Sequence, residues 1–193
     1  MSPIDRPQPR LDETQRIQYA EDLIRSSMAP TRNDLAEGAA LLAAVLCDEN
    51  LSPAGKATAA FFLGNLLASF RRHAEAIRCF GVATRLSPSW PEAHFNYGVA
   101  LQQAGQNEKA AESLRRALEL LVSLPQDNPK DRFFLARIHY YLHVALSSMG
   151  DVDASLEHKE KAEDLLRQEP RDPQAQLFEK FFFRTGPDLS RLR

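Results

Sequence analysis

The 193-residue chain is short of several things, and each shortage removes a class of protein. It has two cysteines, Cys47 and Cys79. Two thiols cannot make the disulfide framework on which small secreted domains depend, so a reducing, cytoplasmic setting is expected. No run of about 18 apolar residues exists, so no segment is expected to enter a membrane as a spanning helix. The first ten residues, MSPIDRPQPR, are polar and broken by proline, unlike the apolar core of a signal peptide. Neither charge is in surplus: 24 Lys and Arg stand against 26 Asp and Glu, for a net charge of −2. Dedicated nucleic-acid binders are usually strongly basic, so no nucleic-acid partner is expected. The eight glycines never cluster, which excludes a phosphate-cradling loop. No G-x-S-x-G elbow and no Cys/His nucleophile signature occurs, so neither enzymatic activity nor a cofactor is expected. Alternating β-branched runs bounded by turn residues are missing too, which leaves no strands.

What is present is helical periodicity punctuated by proline. Asp12 followed by Gln15 has the spacing of a capping box, in which each residue's side chain bonds the other's backbone amide. Ile17, Ala20, Leu23 and Ile24 then form an apolar stripe that Pro30 ends. A second helix opens near Thr31 and Asp34 and carries Leu35, Ala39, Leu42 and Leu46. Further helices are predicted over 54–70, 73–86, 91–105, 107–124, 132–149, 151–167 and 172–183, nine in all. The fold class is all-α.

Laying residues 57–90 over the chain from Pro91 onward exposes a repeat with an offset of 34. Leu63-Gly64 falls on Tyr97-Gly98, Leu67 on Leu101, Ala76 on Ala110, Phe80 on Leu114 and Ala83 on Ala117. Small residues at these places let two helices cross closely, and the large ones fill the space between them. This pattern resembles the tetratricopeptide repeat, a helix–turn–helix unit of 34 residues. A third, divergent unit over 136–169 carries Leu142, Leu146, Gly150 and Ala162 at equivalent places after an offset of 45. It departs at His143, in the place of the crossing glycine, and at Lys159, in the place of a large apolar residue. Residues 125–135 form the insertion, and residues 11–50 resemble the repeat only as a helix pair. The implied architecture is one domain over 11–184, a right-handed solenoid of about four helix pairs. Residues 1–10 and 185–193 are read as tails. The helix over 172–184 presents Leu177, Phe178, Phe181 and Phe182 at helical spacing as a terminal cap.

The resemblance also implies where partners bind, because the first helix of each pair lines the concave side. Inward offsets give Phe61, Asn65 and Ala68 from one unit. Phe95, Asn96, Val99, Gln102 and Gln103 come from the next, and Arg137, Tyr140, Tyr141 and Val144 from the third. Phe61, Phe95 and Tyr140 share one offset and are expected to form a row of rings against a partner. Some members of the family grip a terminal carboxylate with lysines, asparagines and an arginine. Asn65, Asn96 and Arg137 resemble parts of that clamp, but Phe61 and Tyr141 stand where basic residues would be. The implied function is a non-enzymatic adaptor or scaffold holding a peptide or helix within a multiprotein complex. A chaperone for a secreted or membrane-active substrate is the alternative, since small bacterial secretion chaperones resemble this chain in size, acidity and three repeats. A regulatory subunit of an enzyme is another.

His139 and His143 are four apart on one helix, the spacing of a metal pair, but no third ligand accompanies them, so packing is expected and no metal. Cys47 and Cys79 each sit on an apolar helix face and are expected to be buried, inert thiols. Residues 1–50 hold nine acids and five bases, whereas 51–91 hold one acid, Glu75, and five bases. An acidic partner near the first clear repeat fits that distribution. The acidic start and the phenylalanine-rich end both leave room for self-association into a homo-oligomer.

Overall fold

A computed structural model describes residues 12–25, 32–123 and 129–168, together with residues 173 and 176. The tails, Thr31, residues 125–128 of the insertion, and the 172–184 cap apart from residues 173 and 176, with its Leu177 to Phe182 stripe, lie outside the described residues. So do the side chains of Leu23 and Ile24. Eight helices and no strand occur among the described residues: α1 (Glu13–Arg25), α2 (Arg32–Cys47), α3 (Pro53–Ser69), α4 (His73–Leu86), α5 (Pro91–Gln103), α6 (Asn107–Val122), α7 (Pro129–Ser148) and α8 (Val152–Arg167).

Local chemistry explains most of these boundaries. Asp12 and Gln15 form the reciprocal capping box: the Asp12 amide donates to Gln15 at 3.0 Å and the Gln15 amide to Asp12 at 2.8 Å. Ser52 caps α3, its hydroxyl accepting from the Gly55 amide at 3.0 Å. The same hydroxyl donates to Glu13 of α1 at 2.9 Å, so α1 is tied to the start of α3. Pro53 and Pro91 occupy the first turns of their helices, where the missing N–H costs nothing. Pro129 does the same for α7, which therefore starts ahead of the expected Arg132.

The helices fall into two compact units, one over 1–104 with α1–α5 and one over 105–193 with α6–α8. In the first unit, α1 packs on α2, α3 on both α2 and α4, and α4 on α5. Ile17 and Ala20 of α1 meet Leu41, Leu42 and Val45 of α2 and Ala59 of α3. Ala60, Ala83 and Ala93 bring α3, α4 and α5 together, with Trp90 and Phe61 around them. The crossing of α3 and α4 depends on Gly64. A Cβ there would stand 2.7 Å from the Phe80 ring, so the glycine accommodates an aromatic edge rather than a second backbone. Phe80 is 1% exposed.

In the second unit, α7 packs against both α6 and α8. Ile138, Leu142, Ala145 and Leu146 of α7 are fully buried, and Ala136 meets Leu166 of α8 beside Phe133, Tyr140 and Leu165. The turns between paired helices share one device. After α7, the Asp151 amide reaches the Leu146 carbonyl at 3.0 Å and the Gly150 amide reaches Ser147 at 3.1 Å, with Gly150 at a φ of 81°. After α3, Arg72 reaches Leu67 and Arg71 reaches Ala68 in the same pattern, but the left-handed residue is Arg71, at a φ of 59°.

Candidate partner-binding faces

The first helices of the pairs hold every residue expected to meet a partner, and the fold sorts these into surface and core. Asn65 of α3 and Asn96 of α5 are brought together: the Asn96 amide nitrogen donates to the Asn65 side-chain oxygen at 2.8 Å. This bond spends one donor and one acceptor and leaves the Asn65 NH2 and the Asn96 oxygen available for others. Val99 and Gln102 are half-buried beside this pair on α5, and Gln103 is exposed.

The expected row of rings does not form. Phe95 is 2% exposed and belongs to the core, because its offset on α5 turns inward. Phe61 is half-buried and enclosed by Trp90, Phe62 and Phe80, at ring separations of 4.5, 5.7 and 6.1 Å. Tyr140 packs onto the Ala136–Leu166 cluster and stands edge-on to Tyr141 at 5.4 Å. These three rings hold helices together.

On α7, Arg137 lies over the Phe133 ring, 5.9 Å from its centroid. Burial pulls its pKa below the usual guanidinium value, and the neighbouring Tyr141 partly offsets that. Burial raises Tyr141, while Arg137 beside it acts the other way, and burial raises Tyr140 too. An open cleft of about 340 Å³ between α1 and α3 was not foreseen from sequence. Glu13, Ile17, Glu21, Thr58 and Phe62 line it, giving an apolar floor with acidic edges.

His139 and His143 are packing residues with polar partners. His143 is 9% exposed; its Nδ1 lies 2.8 Å from the Ser155 hydroxyl and 3.1 Å from the Ser155 carbonyl. Since a carbonyl only accepts, Nδ1 carries the proton. His139 is 7% exposed and its Nδ1 lies 2.8 Å from Nδ1 of His158. One ring must donate and the other accept, so the pair holds a single bridging proton. Burial, then His158, pushes the His139 pKa down to about 4. Burial also lowers His143 and His158. Among the described residues, no group of three or more His, Cys, Asp or Glu is disposed to hold a metal. The partners Ser155 and His158 escaped the sequence reading, although Ser155 falls 45 residues after Ala110, in the repeat's small position. Cys47 is exposed at the last turn of α2, against the expected burial, because the helix end turns it outward; Cys79 is half-buried. No helix among the described residues is long and apolar enough to cross a membrane.

Paired helices joined by tight left-handed turns, with alanines and a glycine at the crossings, define a helical-hairpin repeat protein. Residues 91–121 match the tetratricopeptide repeat family. The described helix pairs have the fold of a tetratricopeptide-type helical repeat. No curated protein matches the chain. Among solved structures, a double mutant, "MamA RS-1 ArsTM", is 20% identical with a TM-score of 0.64, covering 85% of this chain and 80% of its own. A second MamA structure is 15% identical with a TM-score of 0.64, over 83% and 82% of the two chains. MamA 41-end from Desulfovibrio magneticus RS-1 is 18% identical with a TM-score of 0.61, over 81% and 77%. These likenesses concern the fold.

Proposed function

We propose that this chain is a non-enzymatic adaptor that holds an extended or helical segment of a protein partner against the first helices of its repeats. The observation that carries this reading is the Asn65–Asn96 pair, which fixes two amides in place and leaves one donor group and one acceptor for a partner's backbone. Val99, Gln102 and Gln103 adjoin it on α5. Free thiols at Cys47 and Cys79 support residence in a reducing compartment, the cytoplasm.

The test is affinity capture from native cells with mass spectrometry, comparing the natural chain with Asn65→Ala/Asn96→Ala. Removing both amides together leaves neither one unpaired, so the variant is expected to melt like the parent. Loss of the captured partner by this folded variant supports the reading, and undiminished capture overturns it. A single substrate that precipitates without this chain would identify a chaperone instead of a resident complex.

A further inference from the structure

The outward side of the α3–α4 hairpin gathers charge of one sign. Between Leu51 and Pro91 stand five cations, Lys56, Arg71, Arg72, Arg78 and Arg85, and one acid, Glu75. Arg72 takes Glu75 with two of its guanidinium nitrogens. Arg71, Arg78 and Arg85 are exposed, and none of their side chains has a hydrogen bond or ion pair among the described residues. Arg78 and Arg85 are seven residues apart on α4, which places them on one face about 10.5 Å apart along the axis. Arg71 lies in the turn just before that helix, and the ring of Phe70 beside it is 55% exposed.

The backbone adds an independent observation. Arg71 has a φ of 59°, in the region where the equivalent turn residues are Gly105 and Gly150. An arginine there bears a conformational cost that glycine avoids. Strain kept at a residue whose charged side chain is exposed and unpaired points to a side chain retained for contact.

We infer that the outward face of the α3–α4 hairpin is a second docking surface, for an acidic helical protein segment whose carboxylates meet Arg71, Arg78 and Arg85 and whose apolar side chain covers Phe70. Guanidinium groups bind carboxylates through paired hydrogen bonds. Carboxylates seven residues apart on a partner helix match the Arg78–Arg85 interval. A phosphate backbone would make no use of the Phe70 ring, and three free cations in a chain of net charge −2 fall short of a nucleic-acid footprint.

The probe is a synthetic helical peptide of about 20 residues with glutamates at seven-residue intervals and one leucine, titrated into the full chain at about 50 mM and about 300 mM salt. Binding is expected at the lower salt and should weaken at the higher. Arg78→Glu/Arg85→Glu should lose about tenfold or more in affinity without a change in melting temperature. Arg71→Gly should weaken binding about threefold, and relief of strain should raise the melting temperature by about 2–4 °C. No binding of the peptide by the natural chain overturns the proposal, as does undiminished binding by either variant. Tighter binding of duplex DNA or of phosphatidylserine vesicles than of the peptide overturns it in favour of another anion. Self-association that Arg78→Glu/Arg85→Glu abolishes in sedimentation would replace the acidic partner with a second copy of the chain.

Discussion

The α3–α4 and α7–α8 hairpins are built on the same repeat frame and solve the same crossing in opposite ways. In α3–α4 the second helix contributes the large ring, Phe80, and the first contributes the space, Gly64, with Ala76 thin beside them. In α7–α8 the first helix contributes the ring, His143, and the second answers with Ser155, which bonds it. Lys159, in the place of Phe80, swings outward to Glu163 at 3.9 Å and leaves its side chain 42% exposed. Volume at the crossing is kept while its chemistry changes from apolar to polar. A frame of this kind tolerates such an exchange when the small and large partners change together, since a buried imidazole without Ser155 would leave a donor unsatisfied. The exchange makes one hairpin titratable at its core and leaves the other dry.

Truncating the two matching residues, Phe80 and Lys159, should separate the hairpins most. Phe80→Ala should destabilise the protein by about 3–5 kcal/mol, through lost burial and the cavity it leaves. Lys159→Ala at the matching place should cost no more than about 0.5 kcal/mol, since that side chain points away from the crossing and is 42% exposed. Denaturant titration of both variants measures the gap, and equal costs would remove the distinction.

Acid should reach only the second hairpin. His139 holds its pKa near 4 in the folded chain, against an ordinary 6.5, so the unfolded chain takes up the proton first as pH falls. Stability is therefore full above pH 6.5, declines across the interval to about pH 4, and loses about 3 kcal/mol from His139 alone. His143 and His158 act in the same direction. Hydrogen exchange at neutral and acid pH should show α7–α8 amides losing protection ahead of those in α3–α4. Uniform loss in both would count against the histidine explanation.

A smaller effect than either lies in the turns, where one residue's backbone decides the outcome. Gly150→Ala should cost about 1–2 kcal/mol by forcing a side chain into the left-handed region that Arg71 already occupies. Chemical denaturation reads it, and a neutral result would mean that the turn relaxes without strain.

Much of the fold was legible because the repeat writes its packing into residue size. The coincidence of Gly64 with Gly98 and of Ala76 with Ala110 located the pairs, and Pro53 and Pro91 marked their starts. The start of α7 was misplaced because Pro129 reads equally as a loop residue and as a helix opener. The candidate partner-binding face was legible only in part. Helical spacing selects a direction from the axis, but the neighbouring helix decides whether that direction is surface, and so Phe95 went to the core. Pairings across helices, such as Asn65 with Asn96 and His139 with His158, have no signature along the chain. Arg71 was read as charge alone, since backbone strain leaves no trace in composition.

Glu13 and Gly55 show how far one such pairing reaches. A Cβ on residue 55 would fall 1.3 Å from a Glu13 carboxylate oxygen, so the carboxylate already fills the room that a side chain there would need. Glu13 holds that place by accepting from the Ser52 hydroxyl, and the Ser52 amide lies 3.4 Å from its other oxygen. The two positions are therefore epistatic: any residue larger than glycine at 55 evicts the glutamate, and loss of the glutamate releases the restriction on 55. A lineage that loses Glu13 and then fills position 55 gives up the stitch between its first two helix pairs, and reverting either change alone would not restore the join.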